Sequence, residues 1–115
     1  MGTEKQYLIV KDIIKSDFAI TSDDGNKVYE QIFQNLSRGN SVVLNFEGIT
    51  VMITAFLNAA IGKLYEHFDS ETLNEHLKLE NVAPNDRILF KMVVQRAKEY
   101  FANKEVFEEA VTNTL

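Results

Sequence analysis

An α/β fold, with a small mixed sheet of about four strands covered by helices and a helix at the C-terminal end, is predicted by three observations. The run Val42-Val43-Leu44-Asn45-Phe46 is too short for a helix and too continuously apolar for a strand with a solvated face. Two segments on either side of it, Val28 to Leu36 and Ala55 to Phe68, place their apolar residues at helical spacing. Strand-like and helix-like segments therefore alternate along the chain, the order that lays helices on a sheet.

Near the start of the chain, Tyr7-Leu8-Ile9-Val10 and Ile13-Ile14 are apolar clusters separated by Lys11-Asp12, and Phe18-Ala19-Ile20 comes after Lys15-Ser16-Asp17, a pattern that suits two short strands or a hairpin. Thr21 to Asn26 is dense in turn and cap residues, so a helix is expected to start there, with Val28, Tyr29, Ile32, Phe33 and Leu36 along one stripe and Arg38-Gly39-Asn40 as its stop. Val42 to Phe46 is the central buried strand. A second helix over Ala55 to Phe68 turns Phe56, Ala59, Ala60, Leu64 and Phe68 inward and carries Asn58, Lys63, Glu66 and His67 outside.

Glu71 to His76 reads as a short helical turn, and Leu77 to Val82 alternates as a half-exposed strand does. Pro84, the only proline, stands with Asn85 and Asp86 where a fixed φ and a capping side chain favour a helix start. That helix is expected to reach Phe101 with Leu89, Val93, Ala97, Tyr100 and Phe101 inward. A final amphipathic piece begins at Asn103, with Val106, Phe107, Ala110 and Val111 on one side.

Composition bounds the function. The 115 residues fit a single domain, 1–115, and at 45% hydrophobic and 25% charged the chain has the balance of an ordinary packed globule. Seventeen acidic against twelve basic residues leave a charge of −5, and the lysines form no basic stripe, so nucleic acid is not an expected partner. With no cysteine, disulfides, thiolate metal sites and a Cys nucleophile are all excluded. Met1 to Gln6 lacks the features of a secretory signal, and no apolar run approaches the roughly 20 residues that span a bilayer, so a cytoplasmic location without membrane contact is expected.

The stretch from Asn45 to Tyr65 bears a family resemblance. Asn45-Phe46-Glu47-Gly48-Ile49, followed by Phe56-Leu57-Asn58-Ala59-Ala60-Ile61-Gly62-Lys63-Leu64-Tyr65, is similar to the pattern of the STAS-like group of small bacterial proteins of undefined function, relatives of the anti-sigma-factor antagonists. Asp23-Asp24-Gly25 also recurs in that group. The resemblance implies a STAS-like fold and a switchable module that binds another protein, a GHKL-type ATPase being the partner of the regulated members. It assigns the partner surface to Glu47, Gly48, Met52, Ile53, Phe56 and Asn58, and makes Thr54 the phosphoacceptor candidate. This chain departs from the regulated pattern beside that residue, with Ile53 in place of the acidic residue and Ala55-Phe56 in place of Ser-Gly. An ordinary N-cap, with a side-chain bond to a free backbone N–H, explains Thr54 by structure alone and is the preferred reading of that residue.

Catalytic and metal patterns are weak. His67 and His76 lack HExxH spacing and read as solvated helix-face residues, and Asp23-Asp24-Gly25-Asn26 fits a turn and cap better than a calcium loop. Ser16, Ser22, Ser37, Ser41 and Ser70 lie in no GxSxG elbow, and nothing in the sequence sets a His with an orienting acid beside any of them. The five glycines form no phosphate loop. The expectation is a non-enzymatic regulatory protein-binding module without cofactor or metal. Two alternatives stand beside it. A small-ligand or nucleotide sensor would show a polar pocket near Asn45, Thr50 and Thr54, and a self-associating subunit would form a homodimer through a sheet edge or the terminal helix.

Overall fold

A computed structural model describes residues 4–114, and the side chains of residues 4–102. Its centre is β3 (Ser41–Asn45), flanked by β1 (Lys5–Ile9) and β5 (Leu77–Glu80) in a three-stranded sheet of order β1-β3-β5. Both pairings are parallel, with Leu44 opposite Leu8 on one side and Leu79 on the other. Val42, Val43 and Leu44 are buried together because a middle strand of a parallel sheet is covered on both faces. The central strand is the one the apolar run predicted.

Near the start, the two short strands that the sequence suited do form, with a helical turn between them. After β1 the chain makes a single helical turn, α1 (Val10–Ile14), before β2 (Phe18–Ala19), and no hairpin forms because each strand pairs elsewhere. Val10 and Ile14, four residues apart, are both buried on one side of α1, and Lys15 ends it at φ 57°. β2 runs parallel to β4 (Val51–Met52), Phe18 opposite Val51 and Ala19 opposite Met52. The α/β class and the helix-covered sheet are as predicted. The described strands number five, three in one sheet and two in another, and every pair is parallel.

Helix α2 (Ser22–Ser37) starts where the cap residues placed it: the Thr21 hydroxyl accepts the Asp24 N–H at 3.1 Å. Val28, Ile32 and Leu36 are buried, Tyr29 and Phe33 flank them half-buried, and Gly39 at φ 84° takes the chain out of the helix. The second helix is shorter than predicted. α3 covers Thr54–Ala60, Ile61 departs from helical φ at −115°, and Gly62–Glu66 continues as a 3-10 helix. The predicted inward residues Phe56, Ala59, Ala60 and Leu64 are buried, and so are Leu57 and Ile61, because α3 packs against both α2 and the last helix.

Asp69 caps α4 (Ser70–His76), its carboxylate accepting the Thr72 N–H at 2.8 Å, and α4 runs directly into β5. A 3-10 turn, Pro84–Asp86, leads into α5 (Arg87–Thr114), one continuous helix where the sequence suggested a second piece from Asn103. The expected face of Val106, Phe107, Ala110 and Val111 lies outside the described side chains. Phe90, Val93 and Ala97 are buried, and Phe46 meets Phe90 edge-on with ring centroids 5.3 Å apart. Tyr100, expected inward, is exposed. Its neighbour Phe101 lines the cleft formed with Tyr65 and Phe68, and about 100° of helical rotation per residue carries Tyr100 away from it.

Candidate functional site

The loop between β3 and β4 is built on Asn45. Its side-chain oxygen accepts the Glu47 backbone N–H at 2.9 Å and the Asn81 side-chain amide at 2.8 Å, which ties the ends of β3 and β5 together. The turn closes with Ile49 N–H donating to the Phe46 carbonyl at 3.1 Å, and Gly48 holds φ 84°, a left-handed conformation that costs glycine least. The far end of the loop is attached to the segment before β2: Thr50 donates its N–H to the Asp17 carbonyl at 2.8 Å and its hydroxyl to the same oxygen at 3.2 Å.

Beyond Thr50, β4 joins β2 in a two-stranded ribbon with one apolar face inside and one outside. Strand residues alternate sides, so Ala19 and Met52 turn into the core while Phe18, Ile20, Val51 and Ile53 turn out. Those four side chains keep 50%, 38%, 40% and 41% of their surface in solvent. A solvated face of an ordinary ribbon would be polar; this one is apolar at every position. Ile53 N–H donates to the Ala19 carbonyl at 3.1 Å, so the pairing continues up to the first residue of α3.

The residues singled out from the sequence divide into three groups. Glu47, Gly48 and Ile53 are exposed on the loop and ribbon, as a contact surface requires. Met52 and Phe56 are corrected to core positions: Met52 is on the inner face of the ribbon, and Phe56 is fully buried where α3 crosses α2. Asn58 is exposed but lies elsewhere, in a cleft lined with Ser22, Asn26, Ala55 and Lys63. Thr54 is the first helical residue, half-buried, and Ile53 occupies the cap position with no side-chain cap bond. Thr54 is therefore not the N-cap that the sequence suggested.

Sequence reasoning missed Phe18, Ile20 and Val51, reading the first two only as strand formers and Val51 as part of the loop that leads into the second helix, where the structure has β4. The available signal was the pair of triplets Phe18-Ala19-Ile20 and Val51-Met52-Ile53, each with two large apolar residues on the side opposite its middle residue. Two of the three polar groups of the ligand-sensing alternative are engaged internally, Asn45 by Glu47 and Asn81 and Thr50 by Asp17. The histidines are also held. His67 meets the Phe33 ring edge-on at 5.3 Å, and His76 Nδ1 is 2.9 Å from Ser41 Oγ, with the Glu75 carboxylate 3.8 Å from the other ring nitrogen. A Ser–His contact is thus present that no spacing in the sequence signals. It joins the end of α4 to the start of β3, and neither residue lines a described cleft.

At the crossing of α2 and α3, the Lys63 amine donates to the Asn26 side-chain oxygen and stands 4.5 Å from the centre of the Tyr29 ring. Burial, with the Glu66 carboxylate nearby, raises the Tyr29 phenol above its ordinary pKa. These contacts join the Asp-Asp-Gly-Asn turn to the Gly-Lys-Leu-Tyr run. The family described as the STAS-like domain of unknown function (DUF4325) matches residues 24–87. This chain belongs to that family. No curated protein and no solved structure matches it.

The STAS-like match begins at Asp24, inside the first turn of α2, and ends at Arg87, the first residue of α5. It spans the Asn26–Lys63 contact, the Asn45 loop, Val51 and Ile53, whereas Phe18 and Ile20 lie before it. Among the described residues, no helix is long and apolar enough to cross a membrane.

Proposed function

We propose that this STAS-like domain is a non-enzymatic regulatory module that binds another protein through the outer face of its β2–β4 ribbon. The observation that carries the reading is the set of four exposed apolar side chains, Phe18, Ile20, Val51 and Ile53, on one face of a ribbon whose backbone is fixed by pairing. Apolar groups gathered on a rigid surface gain free energy when a partner excludes water from them, and ordering the site beforehand lowers the cost of binding. The Asp17 carboxylate, 3.4 Å from the Thr50 hydroxyl, stands at the rim and favours a partner with Lys or Arg at the edge of its own apolar patch.

Thr54 follows Ile53 directly. Phosphate there adds about −1.5 to −2 charge beside an apolar contact, which opposes docking through desolvation and repulsion of the carboxylate rim. The family resemblance makes a GHKL-type ATPase the partner to try first. The test is a pull-down from lysate of the source organism with and without ATP, using the wild type, Phe18→Ser/Ile53→Ser and Thr54→Glu. Recovery of an ATPase by the wild type, and loss of it by both variants while they keep their fold, is the expected result. Equal recovery by all three removes the ribbon from the interface.

A further inference from the structure

We infer that a second copy of this chain pairs with the free edge of β5, antiparallel and centred on Leu79, to form a symmetric dimer. The inference does not rest on the ribbon surface, to which β5 contributes nothing. β5 ends the strand order β1-β3-β5, and no strand pairs with its outer edge among the described residues. The direction of its backbone groups follows from one hydrogen bond, Phe46 N–H to the Glu80 carbonyl at 2.9 Å. Because the N–H and C=O of one strand residue share a side and successive residues alternate, Lys78 and Glu80 address β3, while Leu77 and Leu79 address the open edge.

Edge strands are commonly guarded by charge, and β5 carries one of each sign, Lys78 and Glu80, both exposed. In a two-fold pairing centred on Leu79, the outward N–H and C=O of Leu79 bond to those of the second copy's Leu79. Lys78 then falls opposite Glu80 of the second copy, and Glu80 opposite its Lys78. The two charges that would repel an arbitrary strand match their own reversed copy twice. Centring on Lys78 or on Glu80 would still bring outward-facing backbone groups together but would oppose like charges at the centre, so it is the charge pattern that selects the register centred on Leu79.

The Lys78 amine donates to the Asn74 carbonyl at 2.6 Å and has two further N–H groups for a facing carboxylate. Leu79 is 39% exposed at the rim of a cleft lined by Val82, Phe90, Arg87 and Lys91, and the second copy's Leu79 would cover this apolar surface on the same face of the sheet. The contact is isologous, so it closes at two copies.

The experiment is sedimentation of the full chain across a concentration series for the wild type, Lys78→Glu, Glu80→Lys and an equimolar mixture of the two variants, with circular dichroism to confirm their folds. The wild type is expected to dimerise, and each single reversal, which opposes like charges twice, to weaken the dimer roughly tenfold. The mixture restores dimerisation, because every facing pair in the heterodimer is again opposite in charge. Should Lys78→Glu lose its fold with the Asn74 contact, Glu80→Lys and Glu80→Gln, which both keep Lys78, decide: the charge reversal is expected to weaken the dimer more than the neutral variant does. A wild type that stays monomeric throughout overturns the inference. So does a dimer indifferent to the reversals, which would move the contact to another surface such as Phe18 and Ile53, or a monomer that adds only a foreign extended peptide to this edge.

Discussion

Gly25 lies against the backbone of Phe56: a Cβ added to the glycine would stand 2.4 Å from the Phe56 carbonyl oxygen and 2.7 Å from the Ala59 side chain. Helices α2 and α3 therefore cross at a point where one of them has no side chain. The Asp-Asp-Gly turn serves this approach, and the adjacent Asn26 completes it by holding Lys63 from the 3-10 helix that follows α3. Two short patterns nearly forty residues apart in the chain, roughly the distance from Asn26 to Lys63, are one packing unit.

Gly25→Ala is expected to destabilise the protein by about 3 kcal/mol, at the upper end of overpacking costs because the obstacle is backbone rather than a flexible side chain. Gly62→Ala is the control. Its nearest heavy atom, Val93 Cγ1, would be 3.5 Å away, an ordinary contact, so that variant is expected to be neutral or more stable by about 0.4–1 kcal/mol. Urea unfolding of both variants checks the contrast, which fails if they lose stability equally.

Lys63 and Asn26 are expected to be coupled. Lys63→Met, Asn26→Ala and their double variant form a cycle whose interaction energy is expected at about 1 kcal/mol, the net worth of a partly exposed hydrogen bond to a charged group. Additive single effects in thermal or chemical unfolding would show that the contact contributes nothing to the crossing of α2 and α3.

Met52 and Ile53 are neighbours with opposite roles. Met52→Ala removes a side chain only 6% exposed and is expected to cost about 2–3 kcal/mol, whereas Ile53→Ser, on the outer face, is expected to change stability by no more than about 0.5 kcal/mol. The partner assay should order the two the other way, with Ile53→Ser binding worst. Unfolding curves and pull-downs on the same preparations test both halves.

Asp69 gives a pH signature. The Thr72 N–H it accepts, with a further hydrogen bond from the Thr72 side chain, holds its carboxyl below the usual carboxylate range. The carboxyl of the unfolded chain titrates near pH 3.9, so the cap contributes fully above that value and its contribution is lost as pH falls through the lowered folded value. Asp69→Asn caps without titrating. Thermal melts between about pH 5 and pH 2 should therefore show the wild type losing its advantage over Asp69→Asn; parallel curves would mean that folding does not perturb this carboxyl.

Much of this protein was legible before any coordinate. Val42 to Leu44 declared a central strand, because a strand covered on both faces has no polar position. Thr21 and the Val28, Ile32 and Leu36 stripe declared α2, because helix caps and 3.6-residue spacing are local rules. The STAS-like pattern from Asn45 to Tyr65 was readable for a related reason: the Asn45 loop and the Gly62-Lys63 run are constrained by contacts that few residue types can make.

Tertiary structure alone decided what short segments do and which side they show. Val10 to Ile14 has strand-like composition, yet becomes a helical turn because it buries Val10 and Ile14 together. Phe18-Ala19-Ile20 and Val51-Met52-Ile53 contain apolar residues on both faces, so no alternation could say which face meets the core. Pairing β2 with β4 over the core puts Ala19 and Met52 inside, and leaves Phe18, Ile20, Val51 and Ile53 for solvent or a partner. The same holds for Phe56, placed on the contact surface by resemblance and buried against Gly25, a residue far earlier in the chain. Periodicity and caps are properties of neighbours in sequence, and the sequence determined them; exposure is a property of neighbours in space, and only the packed chain determined that.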